Sequence, residues 1–226
     1  MSTTYNFYHK KKGIFDYLSV TLTLIMLNVF AFVLFLILLV LFKDKPELLY
    51  DYIALKPINI IHGKYVWTFL TSMFMHGGLF HLFANMLSLI FIGSLVEKIL
   101  GRKRYLYFYL ASGLAAGLFF VLSSLVFVSD LNTFAVGASG ALFGLVGLLV
   151  LLTPNLSVYL MFIPIPIKMK YAGPGMLALL WLISIAGDIP IGNTAHFGGL
   201  IVGIFYGVYL KSKYKRKTEH LRRHFS

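Results

Sequence analysis

Ser139, His196, His81 and Asn85 are polar residues set in otherwise apolar stretches of this chain. Such side chains are expensive to hold in apolar surroundings, which makes them functional candidates by default. A serine hydroxyl attacks a carbonyl when a base takes its proton, and neutral imidazole does this near pH 7. The oxyanion that forms then needs preorganised donors. Ser139 and His196 are the residue types of a nucleophile and its base, and His81, Asn85 and the Ser139 amide are types that can supply the donors. Gly137 and Gly140 flank the serine and allow an unhindered turn at a helix start, where free N–H groups and the positive dipole end point at developing negative charge. The string Gly137-Ala138-Ser139-Gly140 is not the G-x-S-x-G elbow of soluble hydrolases, and taken alone it is a weak motif.

No carboxylate lies at the level of these residues. Asp130 and Asp188 precede Ser139 and His196 in outer loops, so a dyad is expected and not a triad. Phe143, one turn below Ser139, can pack on His196 and hold its ring, or simply fill the core. A zinc site built from His76, His81 and His196 is the competing chemistry. It lacks an H-E-x-x-H pattern and an acidic base, and the Gly77-Gly78 pair interrupts the helix that would align His76 with His81. His76 reads as an interfacial histidine, and neither metal nor cofactor is expected. With no cysteine in the chain, disulfides, thiol nucleophiles and thiolate metal sites are excluded.

The elements that must position these residues follow from composition. The 226 residues are 59% hydrophobic, 16% aromatic and only 12% charged, whereas soluble domains run nearer 45–50% apolar and about 25% charged. The solvent is therefore a bilayer. A helix needs about 20 apolar residues to cross about 30 Å of hydrocarbon, and long uncharged stretches predict an all-α membrane protein, a bundle of six transmembrane helices. The spans are Tyr17 to Phe42, the part of Tyr65 to Val96 after Gly78, Tyr105 to Ser129, Val136 to Thr153, Tyr171 to Gly187, and Ile189 to Leu210. The first is too long, and too deep in the chain, for a cleaved signal peptide.

Counted from the opposite ends of their helices, His81, Ser139 and His196 lie about 24, 21 and 22 Å along the axis, which puts all three at one depth. Asn85 is one turn from His81 on the same face. The helices of Ser139 and His196 also carry small residues at close-packing spacing: Gly140, Gly144 and Gly147 on one, Ala195, Gly199, Gly203 and Gly207 on the other. Such faces let backbones approach closely and would bring hydroxyl and imidazole within hydrogen-bond reach.

Orientation follows from lysine and arginine, which collect in cytoplasmic loops. With both termini inside, sixteen of these residues fall on the cytoplasmic side and four outside, namely Lys43, Lys45, Lys56 and Lys64. This accounts for the +12 net charge without nucleic acid as a partner. The organisation is a basic cytoplasmic N-terminus over 1–16, a six-span core over 17–210 with an outer loop over 43–78, and a basic cytoplasmic tail over 211–226 that touches anionic headgroups. The outer loop is too long for a tight turn and predicts an interfacial element anchored by Tyr65 and Trp67.

Three segments together resemble the rhomboid intramembrane serine proteases: His81-x-x-x-Asn85 on the second span, Gly137-Ala138-Ser139-Gly140 on the fourth, and Ala195-His196-Phe197-Gly198-Gly199 with Gly203 on the sixth. The resemblance covers roughly residues 15 to 212. It implies a Ser139/His196 dyad open to the external side, oxyanion stabilisation by His81 and Asn85, and support from Gly137, Gly140, Phe143 and Gly199. It implies as substrates the transmembrane segments of other proteins, cut near the outer face, and a multi-pass protein of the plasma membrane. It also implies a movable gate in the fifth span and a cap at Asp188 to Asn193. The chain departs from the family in having Thr68 after Trp67 where Trp-Arg is frequent, and Phe143 where many members have tyrosine. The latter keeps a ring for stacking and loses its hydroxyl. Catalytically dead relatives lack the serine or histidine, and this chain has both.

The competing readings are a non-catalytic rhomboid-like binding factor and a small transporter. A transporter should show an internal repeat or paired broken helices, and the sequence has neither.

Overall fold

A computed structural model describes residues 19–160, 163–187 and 191–225. The basic residues of 1–16, the start of the first span at Tyr17 and the loop residue Asp188 lie outside the described residues. In the order of the chain the helices are α1 (Val20–Leu41), α2 (Pro46–Ile53), α3 (Pro57–Ile61), α4 (Thr68–Thr71), α5 (Leu79–Leu100), α6 (Arg102–Ser123), α7 (Ser139–Leu152), α8 (Met169–Gly187), α9 (Asn193–Lys213) and α10 (Lys215–His224). A two-stranded hairpin, β1 (Ser157–Leu160) and β2 (Ile163–Lys168), separates α7 from α8.

Among the described residues four helices are long and apolar enough to cross a membrane: α1, α5, α6 and α8. Phe30 on α1 and Ile185 on α8 are 66% and 79% exposed, as side chains that face lipid must be. The two helices bearing Ser139 and His196 are different. α7 has only 14 residues, about 21 Å of helix, and is buried on nearly every side. Gly, Thr, Asn and His dilute the apolar character of α9, whose 21 residues pack against it.

The ends of the helices have local causes. Ser19 Oγ accepts from the Leu22 N–H and caps α1. A second cap comes from 76 residues away, where the Glu97 carboxylate accepts the N–H groups of Val20 and Thr21 at 2.8 and 2.9 Å and the Thr21 hydroxyl at 2.7 Å. Negative charge at a helix start also meets the positive end of its dipole. Between α5 and α6 the chain reverses in one residue, Gly101, whose φ of 78° suits glycine. Within α5 the turn Leu89–Gly93 widens into a π-helix. A Cβ on Gly93 would stand 2.6 Å from the Tyr105 hydroxyl of α6, so this glycine lets α5 and α6 close up.

The all-α expectation needs correction at the hairpin. Ser157–Lys168 is short, rich in β-branched residues and pairs antiparallel, with Ser157 opposite Lys168 and Val158 opposite Ile167. Proline at positions 164 and 166 is tolerated because a two-stranded sheet consists of edge strands. The basic tail packs on the bundle. α10 is helical, with Thr218 buried and Tyr214 and Leu221 packed on the main core.

Residues 43–78 form a scaffold of three short helices, α2 and α3 each opened by a proline. Trp67 donates its indole N–H to the Tyr52 carbonyl at 2.9 Å, and its ring meets those of Tyr52 and Tyr65. Leu55 and Ala135 exchange backbone hydrogen bonds of 3.1 and 2.8 Å, and the Gly137 N–H donates to the Ser72 carbonyl at 2.8 Å. These bonds pin the strand that leads into Ser139.

Candidate active site

Ser139 is the first residue of α7, and His196 stands in the first turn of α9. The most extensive helix–helix contact in the molecule joins α7 to α9, and glycines make it possible. A Cβ at Gly199 would collide with the Gly140 carbonyl oxygen, one at Gly203 with that of Gly144, and one at Gly147 with that of Leu200. Any side chain at these points pushes the two backbones apart.

At the resulting approach, Ser139 Oγ lies 2.7 Å from His196 Nε2. Phe143 stacks on the imidazole, with ring centroids 4.7 Å apart and planes inclined by 22°. His196 is buried, and its Nδ1 has no hydrogen-bond partner among the described residues. Ring packing therefore orients the imidazole where a hydrogen-bonded carboxylate would do so in a triad. Ser139 is half-buried.

His81 and Asn85 come to the same place by way of Gly137. This glycine has φ of 111°, in the region that side chains rarely adopt. A Cβ on it would stand 2.8 Å from His81 Cε1 and Nε2 and 3.6 Å from Asn85 Nδ2. Conformation and close approach both demand glycine here. Asn85 donates one amide hydrogen to the His81 carbonyl at 2.9 Å, which keeps its side chain along α5 while the amide retains a second hydrogen. His76, in the loop before α5, meets the His81 ring edge to face at 5.1 Å. Burial, and then the neighbouring His81, push its imidazole down to about 4. Among the described residues no group of three His, Cys, Asp or Glu is placed to hold a metal ion.

The eight positions singled out in the sequence thus gather in one region: His196 in contact with both Ser139 and Phe143, Gly140 and Gly199 at the backbone crossing, and His81, Asn85 and Gly137 beside the turn into α7. The supporting face of α6 was not foreseen. Ala116 stands where a Cβ on Gly140 would be 2.8 Å away, and Phe119 presses on Gly198 and packs against the Phe197 ring. The signal was present in Ser112-Gly113 and Ala116-Gly117, small residues repeated one turn apart.

Residues 63–213 match the family model described as the Rhomboid domain. The chain is 38% identical to RHOMBOID-like protein 1 of Arabidopsis thaliana over 159 residues, covering 68% of this chain and 37% of that protein. It is 33% identical to RHOMBOID-like protein 6, mitochondrial, of the same plant over 169 residues, 73% of this chain and 50% of the relative. It is also 35% identical to Inactive RHOMBOID-like protein 8 over 139 residues, 60% and 36% of the two chains. The matched region spans about half or less of the length of these relatives. Because one family model covers more than half of the chain, and three of the helices it covers, α5, α6 and α8, are long and apolar enough to cross a bilayer, this integral membrane protein belongs to the rhomboid family.

Proposed function

We propose that the protein is an intramembrane serine endopeptidase that hydrolyses peptide bonds in the transmembrane segments of other membrane proteins, with Ser139 as nucleophile and His196 as base. The observation that carries this reading is the 2.7 Å separation of Ser139 Oγ and His196 Nε2 beneath the stacked Phe143 ring. In the reaction, Ser139 Oγ bonds to the scissile carbonyl carbon as its proton passes to His196 Nε2. The oxyanion is met by the Ser139 N–H at the start of α7, by the free amide hydrogen of Asn85 and by His81. Collapse breaks the C–N bond, and His196 returns the proton to the leaving amine. Water then attacks the acyl-enzyme with His196 again as base.

The geometry in the membrane belongs to the same proposal. A helix lies within each of the six expected stretches, four of them long and apolar enough to cross a membrane, which supports six spans, and the sixteen-to-four division of Lys and Arg favours cytoplasmic termini. Ser139 then opens toward the external side of a plasma membrane, with α8 as the gate and the segment 188–193, of which 188–190 lie outside the described residues, as the cap. Membrane-protein substrates and the bilayer are the partners of this reading, and it uses no cofactor.

Labelling with a fluorophosphonate in detergent, followed by cleavage of single-span membrane proteins, tests the proposal. Modification of Ser139 together with scission of a membrane segment supports it. The second reading, a non-catalytic binding factor, is favoured by the relative named inactive. Repeated failure of folded protein to label or cleave would favour it over the enzyme.

A further inference from the structure

At the end of the bundle away from Ser139, about 26 Å along α9 from His196, a half-open cavity of about 180 Å³ is lined by Arg104, Tyr206, Tyr209, Leu210, Lys213 and Tyr214. Its chemistry differs from that of the dyad. Lys213 Nζ donates to the Tyr209 hydroxyl at 2.7 Å, the Arg104 guanidinium stands 5.7 Å over the Tyr214 ring, and Lys213 lies 5.3 Å over Tyr209. Both cations are thus held by neutral groups. No carboxylate forms an ion pair with either among the described residues, where Lys56–Asp51 is the salt bridge found. A concave site with two uncompensated positive charges and phenolic hydroxyls is suited to a phosphate, whose oxygens accept from all of these donors.

The surroundings identify the source of that phosphate. Next to the cavity α9 exposes Phe205 and Val208, 69% and 51% accessible, and one turn along α6 from Arg104 the Tyr107 ring is 70% accessible. Apolar surface of this kind continues from the site along the spans, where acyl chains lie. A free phosphate ion has no use for it. Beyond the cavity, α10 places Lys215, Arg216 and Lys217 in solvent, adding positive potential at the same level.

We infer that Arg104, Lys213 and the tyrosines Tyr206, Tyr209 and Tyr214 form a binding site for the phosphate headgroup of an anionic phospholipid, whose chains lie against Phe205 and Val208. Basic pockets between transmembrane helices are suited to such headgroups. The lipid would join α6, α9 and the start of α10 at the end of the bundle opposite the chemistry.

Native mass spectrometry of the full-length Ser139→Ala protein in neutral detergent tests this with phosphatidylglycerol, and with phosphatidylcholine as the zwitterionic control. The Ser139→Ala background keeps the result independent of proteolysis. A retained phosphatidylglycerol adduct is expected, with no matching phosphatidylcholine adduct. Its occupancy should fall roughly tenfold or more in Arg104→Gln/Lys213→Gln and persist in Lys215→Gln/Arg216→Gln/Lys217→Gln. An adduct untouched by the cavity substitutions, or weakened equally by those on α10, overturns the site in favour of diffuse attraction. Displacement of the adduct by inorganic phosphate at equal concentration overturns the lipid as ligand. Should the double variant fail to fold, Arg104→Gln alone is scored by the same rule, and Arg104→Lys should restore binding.

Discussion

The Glu97 carboxylate receives Thr21 twice, from its backbone N–H at 2.9 Å and its hydroxyl at 2.7 Å, and so fastens the start of α1 to the end of α5. Both residues are buried. Glu97→Ala removes a charged acceptor from two helix-start N–H groups and a hydroxyl, and a loss of about 2–3 kcal/mol is expected. Thermal unfolding in detergent measures it. Turnover per folded molecule should be unchanged, because Glu97 is remote from Ser139.

If Ser139 and His196 act as one unit, their losses do not add. Ser139→Ala and His196→Ala should each abolish cleavage while the protein stays folded, and the double variant should be no slower than either. Single-turnover kinetics of the three proteins checks this, and a further large drop in the double variant would remove the dyad from the mechanism.

Asn85→Ala separates stabilisation of charge from structure. Deleting one donor to an oxyanion lowers turnover on the order of 10²–10³. A residue that only bonds its own helix at the His81 carbonyl would instead lower the melting temperature and leave turnover intact. Rates normalised to fluorophosphonate-labelled sites, set beside melting curves, distinguish the two.

Two glycine substitutions should have opposite signs. Gly203→Ala drives a methyl into the Gly144 carbonyl oxygen, an atom of rigid backbone, and should destabilise by about 1–3 kcal/mol while pulling His196 away from Ser139. At Gly175, in α8, a Cβ meets nothing within 4 Å. Gly175→Ala should stabilise by about 0.4–1 kcal/mol. Unfolding midpoints of both variants give the comparison.

The proposed orientation is tested by single cysteines, since the chain has none of its own. Cysteine at Asp130 should react with an impermeant thiol reagent added outside intact cells, and cysteine at Lys103 should not. The reverse labelling pattern would invert the protein in the bilayer and place Ser139 toward the cytoplasm.

Composition alone determined that this chain lives in lipid, because so few charges cannot clothe a water-facing surface. Uncharged length marked the six stretches that hold the principal helices, although α6 ends six residues before the expected Ser129, and residue type marked Ser139, His196, His81 and Asn85, since polar groups inside spans stand out against apolar neighbours. Glycine spacing pointed to the α7–α9 crossing for the same local reason. Tertiary structure decided what depends on partners distant in the chain. Whether Phe143 filled the core or held His196 depended on ring placement across 53 positions of sequence, and the structure stacks them. The Glu97 cap on α1, the Leu55–Ala135 bridge that steadies the approach to Ser139, and the hairpin at 157–168 were equally hidden. Each is a pairing between segments, and periodicity within one segment carries no information about which other segment satisfies its hydrogen bonds.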